Sequence, residues 1–308
     1  MKIHEITNYH QIQENEETIL VLGYFDGLHL GHKALFDEAK TVAKDKGLKV
    51  VVLTFPESPQ LAFAKFHPDL LRHISYPTKR YAKFAEYGVD DLYLLPFTSD
   101  FASLKAKDFM ATYLKALNPH TIVVGFDYKF GSDGKTASYL ASQRQCQVIE
   151  VPEVQDSDQK ISSTRIRQLL AQGQIQQVNR LLGYDYSIRG LVVHGDARGR
   201  TIGFPTANIA LLDQVHLPSD GVYVTEVRVK NQVYRAMTSI GKNVTFGGND
   251  LRIESHLFDF TGEIYGETIE IFWLDKIREM EKFSGIEELI CQLEADQKIA
   301  KNWKKLAI

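Results

Sequence analysis

From Thr18 to about Pro152, short runs of β-branched and aliphatic residues alternate with amphipathic stretches of helical length. This is the pattern of a parallel sheet covered by helices. Thr18–Tyr24, Lys49–Phe55, Asp91–Pro96, Thr121–Gly125 and Gln147–Val151 read as strands, with helices at Lys33–Lys46, Thr78–Tyr87, Ala106–Leu117 and Thr136–Gln143. Two more helical patterns, Thr164–Ala171 and Gln174–Leu182, are separated by Gly173 and closed by Gly183. Beyond Gly183-Tyr184-Asp185 strand-like segments follow one another with only turns between them: Ser187–His194, Val222–Val229, Val233–Ile240, Leu251–Phe260 and Glu267–Trp273. Lys230-Asn231-Gln232 is the expected hairpin tip. The second half is therefore predicted to be an antiparallel barrel or sandwich. A final helix is expected over Ile286–Lys305, with Ile286, Leu289, Ile290, Leu293, Ile299 and Trp303 as its apolar positions. The fold class is α/β followed by all-β, with domains at 1–183 and 184–308.

Composition narrows the function classes. The 308 residues carry 36 Lys+Arg against 39 Asp+Glu, a net charge of −3, with 44% hydrophobic and 24% charged residues. That excludes a disordered or fibrous chain and gives no bulk attraction to nucleic acid. Lys298, Lys301, Lys304 and Lys305 read as a solvated helix face. The only cysteines, Cys146 and Cys291, are too far apart in sequence for a disulfide framework or a zinc ribbon. Met1-Lys2-Ile3-His4-Glu5 leads into charged residues, and no later apolar run approaches the ~18 residues of a membrane span. A cytoplasmic protein with no membrane or nucleic-acid partner is expected. Oligomeric state has no signature in the pattern.

Two segments of the first half carry chemistry. Gly23-Tyr24-Phe25-Asp26-Gly27-Leu28-His29-Leu30-Gly31-His32 closes the first strand and opens the first helix. Unpaired N–H groups and the helix dipole make that junction a ready anion site. Gly23, Gly27 and Gly31 allow close backbone approach there, flanked by Phe25 and Asp26. His29 and His32, three residues apart, share a face and can donate to phosphate oxygens. Ile161-Ser162-Ser163-Thr164-Arg165-Ile166-Arg167 places Ser162, Ser163 and Thr164 before a helix and Arg167 about one turn inside it. Taken singly, each is a common turn or cap. Gly134-Lys135-Thr136 ends like a P-loop but has Lys129 where its first glycine should stand, so it reads as an ordinary loop.

The second half offers a basic, glycine-rich loop, Gly195-Asp196-Ala197-Arg198-Gly199-Arg200-Thr201-Ile202-Gly203, running into Phe204-Pro205-Thr206-Ala207-Asn208. Gly195, Gly199, Arg200 and Gly203 suit a polyphosphate. Thr206 and Asn208 are oxygen donors that suit Mg²⁺. Glu254 alternates with apolar neighbours on a strand and can take a proton from a hydroxyl nucleophile.

Together the paired histidines and the Ser-Ser-Thr-x-x-Arg segment resemble the nucleotidyltransferase superfamily, which implies a Rossmann-like N-terminal domain. Pro205-Thr206-Ala207-Asn208, Gly221-Val222-Tyr223, Glu254-x-x-Leu257-x-Asp259-Phe260, Tyr265-Gly266 and the acidic final helix look like a riboflavin kinase domain. In that order, essentially the whole chain is similar to the bacterial bifunctional riboflavin kinase and FAD synthetase family. The resemblance implies that His29, His32, Ser162, Ser163, Thr164 and Arg167 hold ATP for adenylylation of FMN. It also implies that Thr206 and Asn208 hold Mg²⁺-ATP and that Glu254 activates the riboflavin 5′-hydroxyl. Residues that bind the flavin are not assigned.

The chain departs from the family at four places. Tyr24 stands for the usual Asn, and Glu57-Ser58-Pro59 for Pro-His-Pro. Gly131-Ser132-Asp133-Gly134-Lys135-Thr136-Ala137 replaces a Gly-Lys-x-Arg-x-Gly-Asp loop, and Asn243-Val244-Thr245-Phe246 replaces Arg-Pro-Thr-Phe. Three of these lie in the adenylylation half. The alternatives are a nucleotidyltransferase with another acceptor, against which the Pro-Thr-Ala-Asn half argues, and a flavin- or nucleotide-sensing regulator built on a decayed enzyme.

Overall fold

The computed structural model describes residues 1–14, 16–196, 198–242 and 251–305. The Asn243–Phe246 departure lies outside the described residues. The strands are β1 (Lys2–Glu5), β2 (Thr18–Leu22), β3 (Lys49–Thr54), β4 (Asp91–Leu94), β5 (Pro119–Gly125), β6 (Lys129–Phe130), β7 (Lys135–Thr136), β8 (Gln147–Val151), β9 (Gln155–Asp156) and β10 (Gln159–Lys160), then β11 (Ser187–Val193), β12 (Ala207–Leu211), β13 (Gly221–Val229), β14 (Gln232–Lys242), β15 (Leu251–Leu257) and β16 (Thr268–Arg278). The α-helices are α1 (Leu30–Lys46), α2 (Pro77–Glu86), α3 (Ser99–Ser103), α4 (Ala106–Phe109), α5 (Lys115–Leu117), α6 (Ala137–Ser142), α7 (Ser163–Ala171), α8 (Ile175–Leu182), α9 (Arg198–Thr201) and α10 (Ile286–Asn302). The chain forms two compact units, one of residues 1–72 and 77–163, the other of residues 73–76 and 164–308.

In the first unit β1-β4-β3-β2-β5-β8 form one sheet, parallel throughout. Successive side chains of a strand point to opposite faces, so continuous apolar runs feed two cores. Ile19, Val21, Val50 and Val52 pack with Leu35, Phe36 and Ala39 of α1 and Phe84 of α2. Leu20, Leu22, Val51 and Leu53 pack with Phe109, Met110, Leu114 and Leu117. The single helix expected over Ala106–Leu117 is interrupted by a π-helical turn, Met110–Leu114. The local chain thereby buries Met110, Tyr113 and Leu114 as well as Leu117. The P-loop-like residues fall in the β6–β7 hairpin, where Asp133 Oδ1 accepts from the Ala106 N–H at 2.9 Å and so caps α4.

The second unit is a closed barrel in the order β11-β12-β15-β14-β13-β16. The expected hairpin is present, with Val229 paired to Gln232 across Lys230 and Asn231. One chain of wholly buried hydroxyls crosses the barrel wall, Thr225 to Thr238 at 2.7 Å and Thr238 to Ser255 at 2.8 Å. β12 has no counterpart among the sequence-predicted strands, since it is only five residues long and starts directly after Pro205-Thr206. Helices α7 and α8 pack on the barrel: Asn179 Nδ2 donates to the Trp273 carbonyl at 2.8 Å, and its Oδ1 accepts from the Tyr186 N–H at 2.8 Å.

Helix α10 lies on the barrel less simply than its apolar pattern implies. Ile290, Leu293 and Trp303 pack against the wall, but Ile286 and Ile299 are 65% and 50% exposed. The centre of the buried face is instead Asp296, which accepts from Arg278 Nε at 3.0 Å and Nη2 at 2.8 Å. Removing one partner of a buried pair strands the other charge. We therefore expect Asp296→Ala to cost about 3–5 kcal/mol of stability. Ile299→Ala should stay within about 0.5 kcal/mol. Urea denaturation of the two variants checks the contrast, and equal, small losses would contradict it.

Candidate active sites

The β2–α1 junction is a strained turn. Phe25, Gly27 and Leu28 have φ of 59, 82 and 39°, in the region that favours glycine. Gly23 is required by packing, because a Cβ there would sit 2.6 Å from the Phe25 ring. The Phe25 side chain itself is core, edge-on to Phe84 at 5.9 Å and packed with Phe36. His29 caps α1: its Nδ1 accepts from the His32 N–H at 3.2 Å. A neutral imidazole that accepts at Nδ1 carries its proton on Nε2, so that is the atom with which His29 donates. The two rings stack 3.7 Å apart, and Gly31 lies so close to the His29 ring that a Cβ would meet it at 3.1 Å.

His32 Nδ1 is buried without a hydrogen-bond partner. Burial, then electrostatic coupling to His29, Arg80 and Lys160, holds the His32 pKa well below its ordinary value, so the ring is neutral near pH 7. The second motif arrives at this turn, as Ser163 Oγ donates to the Asp26 carbonyl at 2.9 Å across 137 residues of chain. Thr164 and Arg167 follow on α7, within the second unit.

In the barrel, Asn208 and Glu254 are directly paired on β12 and β15, which puts both side chains on one face. Thr206 Oγ1 donates to Glu254 Oε2 at 3.4 Å. Gly195 abuts Asn208, where a Cβ would lie 2.3 Å from the side-chain amide, and at Gly199 a Cβ would lie 2.2 Å from the Phe204 carbonyl oxygen. Gly203 has φ +85° with open space around it. Arg200 reaches the Tyr265 hydroxyl at 3.2 Å. Thr206 and Asn208 are hard oxygen donors, the type that binds Mg²⁺ jointly with phosphates and water, and they stand beside the Glu254 carboxylate. No cluster of three or more His, Cys, Asp or Glu suited to a metal occurs among the described residues.

Two supporting residues escaped sequence reading. His256 Nδ1 donates to the Pro205 carbonyl at 2.7 Å, and its Nε2 accepts from Gln297 of α10 at 3.4 Å, which ties the Pro-Thr-Ala-Asn turn to the last helix. Arg80 is buried beneath Tyr24. Its signal was available: Arg80 stands at helical spacing from Phe84 on the buried face of α2, where a charge is out of place.

Comparison with known proteins resolves the two halves. Residues 11–165 match the FAD synthetase family model and residues 182–304 the riboflavin kinase model. Bifunctional riboflavin kinase/FMN adenylyltransferases of Listeria monocytogenes and Bacillus subtilis are 40% and 38% identical, over 94% and 97% of this chain and the same shares of theirs. The chain belongs to the bifunctional riboflavin kinase/FMN adenylyltransferase family. Its whole fold is shared with the crystal structure of a macrolide-efflux protein from Streptococcus pneumoniae, at 51% identity and TM-score 0.95 over 98% of this chain and 99% of that one. No helix among the described residues is long and apolar enough to cross a membrane.

The neutral state of His32 makes stability depend on pH. Burial lowers the folded pKa of both His32 and His256, so stability is intact above the unfolded value of about 6.5 and falls as pH drops below it. The limit is about 1.4 kcal/mol per pH unit for each proton. His32→Gln should flatten the decline in melting temperature between pH 7.5 and 5.5, and a variant with wild-type slope would refute the assignment.

Proposed function

We propose that this enzyme phosphorylates riboflavin to FMN in its barrel half, residues 184–308, and adenylylates FMN to FAD in its sheet half, residues 1–183. The observation that carries the kinase assignment is the Thr206–Glu254 contact at 3.4 Å beside the Asn208–Glu254 strand pair. It brings a carboxylate and two oxygen donors to one face. Glu254 accepts the proton of the riboflavin 5′-hydroxyl as that oxygen bonds to the ATP γ-phosphorus, and the β–γ bridging bond breaks to release ADP. Thr206 and Asn208 would hold Mg²⁺, which when bound neutralises phosphate charge. Gly195 and Gly199 keep the basic loop packed on Asn208 and Phe204, with Arg200 and Gly203 available to the polyphosphate.

In the sheet half an FMN phosphate oxygen bonds to the α-phosphorus of ATP and pyrophosphate leaves. His29 Nε2–H stabilises the charge that develops, with neutral His32 stacked behind it. Gly23, Gly27 and Gly31 let the turn approach phosphate. Ser162, Ser163, Thr164 and Arg167 complete the ATP contacts, Ser163 while bonded to the Asp26 carbonyl. Two free thiols, Cys146 and Cys291, suit a reducing cytoplasm. Efflux is the activity in the structural relative's name, whereas both halves of this chain match flavin-nucleotide families.

Chromatography of a riboflavin, ATP and Mg²⁺ reaction should show FMN and then FAD. Glu254→Gln should lower FMN formation by about 10²–10⁴-fold while supplied FMN is still converted to FAD. His29→Ala and Arg167→Ala should each lower adenylylation by about 10²–10³-fold with kinase activity retained. Loss of both activities together in any of these folded variants would overturn the division of labour.

A further inference from the structure

Arg80 is 1% exposed, yet its guanidinium is the centre of a polar knot under the β2–α1 turn. Nη1 donates to the carbonyls of Phe55 at 2.9 Å and Pro56 at 3.3 Å, at the end of β3. Nη2 donates to Thr54 Oγ1 at 2.9 Å and to the Tyr24 carbonyl. Thr54 Oγ1 donates to that same Tyr24 carbonyl at 3.0 Å. The guanidinium also lies 4.9 Å from the Tyr24 ring centroid and 5.7 Å from that of Phe84. Burying a cation is costly, and it is sustained here by charge-assisted bonds to carbonyls and by two ring faces.

The carbonyl held by Arg80 and Thr54 belongs to the peptide that enters the strained residue Phe25. In a trans peptide the C=O and N–H point in opposite directions. Fixing the Tyr24 carbonyl onto Arg80 therefore aims the Phe25 N–H to the other side of the turn. A reversed peptide would turn a carbonyl oxygen toward that side, where an anion would be repelled. We propose that Arg80 is a positioning residue for adenylylation: with Thr54 it locks the Tyr24–Phe25 peptide so that the turn presents N–H rather than C=O to the ATP phosphates. Tyr24, where the family usually has Asn, completes the lock by covering the guanidinium with its ring. The inference rests on the adenylylation reading of this turn.

The test measures ATP affinity by calorimetry, and kcat and KM for FMN-to-FAD conversion, in the full-length protein, with riboflavin phosphorylation and melting temperature followed in the same samples. Arg80→Met should weaken ATP binding at least tenfold and lower adenylylation kcat while kinase activity stays at wild type. Arg80→Lys, which can still reach the Tyr24 carbonyl, should recover part of that loss. A purely structural role would lower the active fraction and the melting temperature but leave KM and ATP affinity per folded molecule unchanged. Should Arg80→Met not fold, Tyr24 decides. Tyr24→Phe keeps the ring and should match wild type, whereas Tyr24→Leu should weaken ATP binding about threefold to thirtyfold, the range of a cation–π contact. Wild-type ATP affinity in folded Arg80→Met, or in Tyr24→Leu, would overturn the proposal. Failure of the functional reading would show separately, as wild-type protein that makes no FAD from FMN and ATP.

Discussion

The turn between β2 and α1 holds Phe25, Gly27 and Leu28 at positive φ within four residues, and the sheet half is organised around keeping it there. Two of the three are not glycine, so the conformation persists only where the surroundings over-determine it. Phe25 is wedged among Phe36, Phe84 and His32. Arg80 and Thr54 hold the Tyr24 carbonyl from below, and Ser163, the first residue of α7, holds the Asp26 carbonyl.

The barrel half solves a related problem with regular structure. A carboxylate and an amide are placed opposite each other by the β12–β15 register, and the turn before β12 is set from outside by His256, itself joined to α10 through Gln297. The last helix thus has two duties. It closes the barrel wall through Ile290, Leu293 and Trp303, and it backs the turn that carries Thr206. The Arg278–Asp296 pair fixes it in register against β16, where an apolar stripe alone would permit sliding.

Much of this was readable from the chain. The strands Thr18–Leu22 and Lys49–Thr54 announce themselves because a parallel strand buried on both faces reads as a nearly continuous apolar run. The paired histidines and the Ser-Ser-Thr segment were legible as motifs, Thr206 and Asn208 as oxygen donors, and Glu254 as a proton acceptor. Less legible were β12, hidden by its short length, and the π turn at Met110–Leu114, whose apolar spacing also fits an ordinary helix. The apolar pattern of α10 does not tell the exposed Ile286 and Ile299 from the residues that pack, and Asp296 is buried by a partner on β16.

What the sequence determined by itself was everything set by local periodicity and by side-chain type: two grammars of secondary structure, the order of the halves, and which motifs offer candidate phosphate and proton chemistry. Tertiary structure alone decided which acceptor each cation and hydroxyl would satisfy. Arg80 finding Tyr24, Ser163 finding Asp26 and Thr206 finding Glu254 depend on contacts across 56, 137 and 48 residues. Their geometry comes from how the strands are laid side by side, and no window of neighbouring residues contains that information.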